Sequence, residues 1–195
     1  MARNGPGAKL STPFKPTTSD MTWFLATLAH LIHLATPLLR TYGLWGLVGI
    51  LFAENLGVVF APGESVVVTA GFLAAKGVFS IAFVLPLAIL ATILGGYLAY
   101  GIGAKYGHTG LTRYGKYVWI TPEKIHRVHS FFQRFGAQVV AIGRFIVPLR
   151  QLQGYIAGSA EMGFRTYAIW SAVGAVLWVF AWGGGAWWLA RSIPS

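Results

Sequence analysis

Two kinds of apolar segment follow one another along the chain. Val78 to Gly103 and Phe164 to Ala190 are long and continuous, while Tyr42 to Ala75 and Ala137 to Ala160 are apolar but broken. An α-helix rises 1.5 Å per residue, so each continuous segment is long enough to cross a hydrocarbon core of about 30 Å. Within the first, Gly95, Gly96, Ala99 and Gly103 set small residues at close helical spacing, which suits tight contact with another helix. The broken segments read differently. Glu54, Pro62, Gly63 and Glu64 interrupt the first; Arg144, Pro148 and Arg150 interrupt the second. Proline removes a backbone donor and clashes with the preceding turn, and glycine permits a sharp reversal. The legs over residues 42–53 and 65–75 are each too short to span about 30 Å, and two short legs around a Pro-Gly tip predict a re-entrant hairpin. The competing reading is a full span over residues 43–61 with a polar end.

Amphipathic stretches precede the broken segments. Met21 to Leu39, with His30, His33 and Pro37, is a marginal span but a good interfacial helix. Residues 121–136 carry Thr121 or Pro122 as a start, Glu123 in the first turn and Gly136 as a stop. Ile125, Val128, Phe131, Phe132 and Phe135 form one stripe there, with Lys124, Arg127 and Arg134 elsewhere, which predicts a second interfacial helix.

The order of elements therefore repeats: interfacial helix, an aromatic-Gly step (Tyr42-Gly43, Phe135-Gly136), broken hairpin, long span. Repeat 1 covers about residues 21–107 and repeat 2 about 121–190. Glu54 aligns with Arg144, Pro62 with Pro148 and Glu64 with Arg150 if a gap of four residues is allowed; Gly71 then falls near Gly158 and Gly77 near Gly163. One span ends each half, so the halves should be inverted relative to each other. Broken helices at matching places of inverted repeats are the usual pointer to a transporter's binding site. The fold expected is an all-α integral membrane protein, multi-pass, forming a single domain over residues 21–191. Residues 1–20, polar and Pro-rich, read as a disordered basic tail and not as a signal peptide.

Composition sharpens this picture. The 195 residues are 55% hydrophobic and 10% charged, against a soluble average of about 25% charged. The net charge of +10 would suggest nucleic acid in a soluble protein. Here most of the charge flanks apolar segments, so nucleic acid is not an expected partner and anionic or phosphate-bearing lipid is. Cysteine is absent, which removes thiolate chemistry and Cys-zinc sites. His30 and His33 share a helical face without a third ligand nearby, so neither a metal nor another cofactor is expected. No Ser-His-Asp set, phosphate-cradling Gly-Lys loop or His-Glu-x-x-His pattern suggests an enzyme.

Glu54, Glu64, Arg144 and Arg150 stand out, because a charge deep in a bilayer costs at least about 2.5–3.5 kcal/mol. They need partners or water, and non-helical backbone at that depth is tolerated only inside protein or beside a polar cavity. Gln151 and Gln153 flank Arg150 and are candidates to line such a cavity. Ionic glue is the plain reading, but a buried ion pair is a poor route to stability. Two arginines are also well shaped for bidentate contact with phosphate oxygens.

The stretches ENLGVVFAPGE (Glu54–Glu64), GGYLAYGIGAKYG (Gly95–Gly107), GRFIVPLRQ (Gly143–Gln151) and AGSAEMGFRTY (Ala157–Tyr167), with Gly174, Ala175 and Trp178, resemble the DedA family. This is the bacterial branch of the SNARE-associated Golgi protein, or VTT-domain, superfamily. The likeness covers about residues 40–190. Two departures stand out: Val58 and Val59 occupy a region where members often carry a second Pro, and Pro148 is shifted one position towards Arg150. The resemblance implies a lipid translocase of the cytoplasmic membrane, flipping undecaprenyl phosphate or a related phospholipid, with possible coupling to protons. It casts Arg144 and Arg150 as a lipid-phosphate clamp and Glu54 and Glu64 as proton-linked groups or counter-ions. Pro62, Gly63 and Pro148 become the hairpin tips, and both termini face the cytoplasm. A proton- or cation-coupled small-solute or drug exporter and a non-transporting assembly factor are the alternatives. A homo-oligomer is compatible with all three.

Overall fold

A computed structural model of the protein describes residues 18–58, 61–114 and 138–192, and every regular element among them is helical. In chain order these are α1 (Thr18–Asn55), α2 (Gly63–Ala75), α3 (Ile81–Tyr114), α4 (Gln138–Gly143), α5 (Val147–Ser159) and α6 (Phe164–Val179). A π-helical turn (Phe180–Gly184) then leads into α7 (Gly185–Ser192). The interfacial helix expected over residues 121–136 and nearly all of the N-terminal tail lie outside the described residues.

The breaks fall close to where the pattern places them. Gly43, in the Tyr42-Gly43 step, has φ 58° and ψ −143°, so α1 is two helices joined at a kink. Its second piece stops at Asn55, which excludes one continuous helix through residues 43–61. Pro62 is the residue just before α2, and the second break runs from Arg144 to Ile146, with Pro148 in the first turn of α5. The two continuous segments form helical stretches over Ile81–Gly107 and Phe164–Ser192, 27 and 29 residues long, sufficient to cross a membrane. Along α3 the residues Leu90, Leu94, Leu98 and Ile102, one turn apart, are all exposed. The opposite face, with Val84, Ala88, Ala91 and Ala99, is buried. An exposed aliphatic stripe of this kind is suited to lipid and not to water.

The helices α2 and α5 have 13 residues each and end in the same turn. After α2, the amides of Lys76, Gly77 and Val78 return to the carbonyls of Phe72, Ala74 and Leu73; after α5, those of Ala160, Glu161 and Met162 return to Ile156, Gly158 and Ala157. The position with positive φ is Gly77 (78°) in one and Glu161 (55°) in the other. This local match pairs Gly77 with Glu161, whereas alignment by glycines pairs Gly77 with Gly163. The backbone conformation recurs here, and the residue type does not. Glutamate in the left-handed region is strained, because its Cβ crowds the following carbonyl. Glu161→Gly is expected to stabilise the protein by about 0.5–1 kcal/mol, read as a higher unfolding midpoint in detergent; a lower midpoint would refute the strain.

Two apolar clusters hold the helices. One joins Leu47 and Leu51 of α1, Val66, Val67 and Ala70 of α2, Val84 and Ala88 of α3, and Trp178 and Val179 of α6. The other joins Val140 of α4, Ala157 of α5 and Tyr167 of α6, with Tyr97 and Tyr100 of α3 against it. Tyr167 stacks on Tyr100 with ring centroids 4.8 Å apart, and Tyr100 hydroxyl donates to the Met162 carbonyl. Helix α3 passes through both clusters, so it holds the two broken segments in register.

Candidate functional site

The breaks bring charged side chains together between the clusters. Glu54 lies in the last turn of α1, Glu64 in the first turn of α2 and Arg150 in the first turn of α5. Arg150 Nη2 donates to Glu54 Oε1 at 2.5 Å and Nη1 to Glu64 Oε1 at 2.9 Å. An acid at a helix N-terminus is favoured by the helix dipole and a cation there is not. The two carboxylates therefore hold Arg150 against the field of its own helix. They differ in access: Glu54 is 1% exposed as a residue, whereas the Glu64 side chain is 35% exposed.

Gly63 explains how the Glu54 carboxylate fits. A Cβ at Gly63 would lie 1.7 Å from Glu54 Oε2, so any larger residue displaces the carboxylate or the turn. On its other side Arg150 sits over the Trp178 ring, with the guanidinium carbon 4.6 Å from the centroid, a cation–π contact strengthened by desolvation. Three buried atoms of this group, Glu54 Oε2, Arg150 Nε and Trp178 Nε1, have no hydrogen-bond partner among the described residues.

Arg144 has a different setting. It is fully buried in the break between α4 and α5. Its Nη1 donates to Asn55 Oδ1 at 3.2 Å and its Nη2 to Ser171 Oγ at 2.8 Å. With the Gln153 amide oriented to satisfy its neighbours, that side chain accepts from Arg144 Nη2 at 3.1 Å and donates to the Val140 carbonyl at 2.8 Å. Among the described residues no carboxylate pairs with Arg144; both ion pairs belong to Arg150. Tyr155 hydroxyl donates to the Leu56 carbonyl at 2.8 Å, tying α5 to the end of α1.

Of the residues singled out in the sequence, Glu54, Glu64 and Arg150 thus meet directly. Arg144 and Gln153 form an adjoining polar group, and Gln151 is buried. Pro62 is exposed beside Gly63 at the break, and Pro148 is in the first turn of α5. Sequence reasoning assigned no site role to Asn55, Ser171 or Trp178. Asn55 and Ser171 had a usable signal: each is a polar residue inside an apolar segment.

A helical protein with two membrane-length helices, a lipid-suited outer face and an ionic group buried where broken helices meet is a membrane protein. The chain belongs to the DedA family. The VTT domain family matches residues 61–185. Protein DedA of Escherichia coli is 30% identical over 82% of this chain and 76% of its own length. Undecaprenyl phosphate transporter A of Bacillus subtilis is 33% identical over 65% of this chain and 64% of its own. The uncharacterized membrane protein YbfM of Bacillus subtilis is 27% identical over 70% of this chain and 85% of its own. No solved structure matches the fold significantly.

Proposed function

We propose that the protein is a lipid translocase of the cytoplasmic membrane that moves undecaprenyl phosphate or a related phosphate-bearing lipid. The observation that carries this reading is the pair of buried guanidinium groups at the break between α4 and α5 and the start of α5, one neutralised by two carboxylates and the other held by neutral acceptors. A relative named as an undecaprenyl phosphate transporter supports the choice of substrate.

In this reading the second piece of α1 with α2, and α4 with α5, are two re-entrant hairpins of an inverted repeat. The recurring 13-residue helix and its shared closing turn support the repeat. The contacts of Arg150 with Glu54 and Glu64, and of Tyr155 with Leu56, support the meeting of the tips. The start of α1 and the end of α7 then lie on the cytoplasmic side and the end of α3 on the other. The phosphate enters beside Glu64, the more exposed acid, and takes its place on Arg150, while the lipid tails stay in the bilayer. Glu54 and Glu64 act as counter-ions in the empty site. When an anion replaces them, the local charge balance favours proton entry with the lipid.

The test is lipid movement in proteoliposomes, read by an impermeant phosphatase acting on a polyprenyl monophosphate. Wild type should transfer the lipid faster than protein-free vesicles do. Arg150→Ala and Arg144→Ala should reach only the protein-free rate while still inserting. Arg150→Lys should lose about tenfold or more, since an ammonium lacks the planar fork. A wild-type rate no higher than that of empty vesicles would refute translocation; full activity of the Lys variant would refute bidentate recognition.

A further inference from the structure

We infer that Trp178 is a direct ligand of the phosphate, its indole Nε1–H acting together with Arg150 Nε–H; the assignment rests on the translocase reading and names a further residue of its site. Trp45, Trp182 and Trp188 are exposed, as suits tryptophans at a membrane interface. Trp178 is 1% exposed and lies near the end of α6 in the apolar interior. A buried indole N–H ordinarily finds an acceptor, yet among the described residues Trp178 Nε1 has none, and neither does Arg150 Nε.

These two orphaned atoms belong to one cation–π pair, with the guanidinium carbon 4.6 Å from the ring centroid. Both groups are donors only, so what completes them is an acceptor. Glu54 Oε1 and Glu64 Oε1 are committed to Nη2 and Nη1 of the same arginine, and Glu54 Oε2, which lies against Gly63, bonds neither inner donor. A phosphate monoester presents several oxygens at once. It can replace the carboxylates on the outer nitrogens and reach the inner donors that the carboxylates leave unused. Unlike a second cation, an indole adds a donor without burying another charge, so it raises affinity for phosphate without raising repulsion of Arg150.

The experiment is indole ¹⁵N–H NMR of the full protein in nanodiscs, with the Trp178 resonance assigned through backbone connectivity. The probes are a short-chain polyprenyl monophosphate, the matching polyprenol and inorganic phosphate. The monophosphate lipid is expected to move the Trp178 resonance downfield, and the polyprenol to leave it in place. Trp178→Phe keeps an aromatic face under Arg150 and should weaken the monophosphate lipid by about fivefold or more; because it also removes core volume, affinity is compared well below the unfolding midpoints of both proteins. A lipid that binds wild type without moving the resonance, or that binds Trp178→Phe equally well, overturns the assignment and leaves a water-filled contact. A shift of equal size with the polyprenol overturns it as well, since packing alone would then account for it. An equal response to inorganic phosphate retains the two donors and overturns the lipid as their source of phosphate. If native mass spectrometry finds no monophosphate lipid on wild type, the translocase reading itself fails, and this inference with it.

Discussion

Glu54→Ala is expected to cost about 3–5 kcal/mol of stability, because it leaves Arg150 as a buried cation short of its closest counter-ion. The Glu54–Arg150 pair is 2.5 Å long and each side chain is 2% exposed. Glu64→Ala should cost much less, about 0–1 kcal/mol, since the Glu64 side chain is 35% exposed and its loss leaves Glu54 on Arg150. Unfolding midpoints of the two variants in the same detergent give the comparison. The double variant Glu54→Leu with Arg150→Met removes both charges and fills the space. Replacing a buried pair by apolar residues of similar volume is often neutral or stabilising, so much of the loss should return. Lipid movement should stay absent in that variant. A stable and active double variant would show that the ion pair has no part in transport; equal losses for Glu54→Ala and Glu64→Ala would show that the difference in burial does not matter.

The helical class, the two spans and the breaks are legible in the sequence for one physical reason. A stretch of apolar residues long enough to cross a bilayer is a strong signal, and a Pro or Gly beside a charge inside such a stretch is hard to accommodate except where the helix breaks. The stop at Asn55, beside Glu54, follows from this, while the kink at Gly43 falls at the aromatic-Gly step. Pairing is what stays hidden. Glu54, Glu64, Arg144 and Arg150 carry equal signals in one dimension, yet Arg150 takes both acids and Arg144 takes Asn55, Ser171 and Gln153. Distance along the chain does not encode which side of a turn a guanidinium faces. The glycine alignment and the shared closing turn give Gly77 different partners for a related reason. Glycine marks a left-handed turn residue reliably only when glycine is used, and the second turn uses Glu161. Trp178 carries no site signal of its own, because tryptophan in a span reads as an interface anchor until burial is known.

Of the small residues that mark α3 in the sequence, Ala99 and Gly103 face α5 while Gly95 faces α1, and the second large effect is expected at the α3–α5 contact. A Cβ at Gly158 would lie 2.2 Å from the Tyr100 carbonyl oxygen and 2.6 Å from the Ala104 amide nitrogen. Both neighbours are helix backbone, which cannot rotate aside as a side chain can, so Gly158→Ala must push α5 away from α3. Overpacking of this kind costs about 1–3 kcal/mol. The displacement also moves the first turn of the same helix, where Arg150 makes its bonds to Glu54 and Glu64. Activity should therefore fall further than the loss of stability explains, and Gly158→Val should abolish it. Gly101 of the facing helix α3 is the control: a Cβ there meets nothing within 4 Å. Gly101→Ala should be neutral or raise stability by about 0.5–1 kcal/mol through helix propensity alone. Unfolding midpoints together with lipid transfer rates distinguish the cases. A Gly158→Ala protein with wild-type transfer would mean that α5 can shift on α3 without disturbing the ionic group, and that the close helix contact serves only to hold the fold.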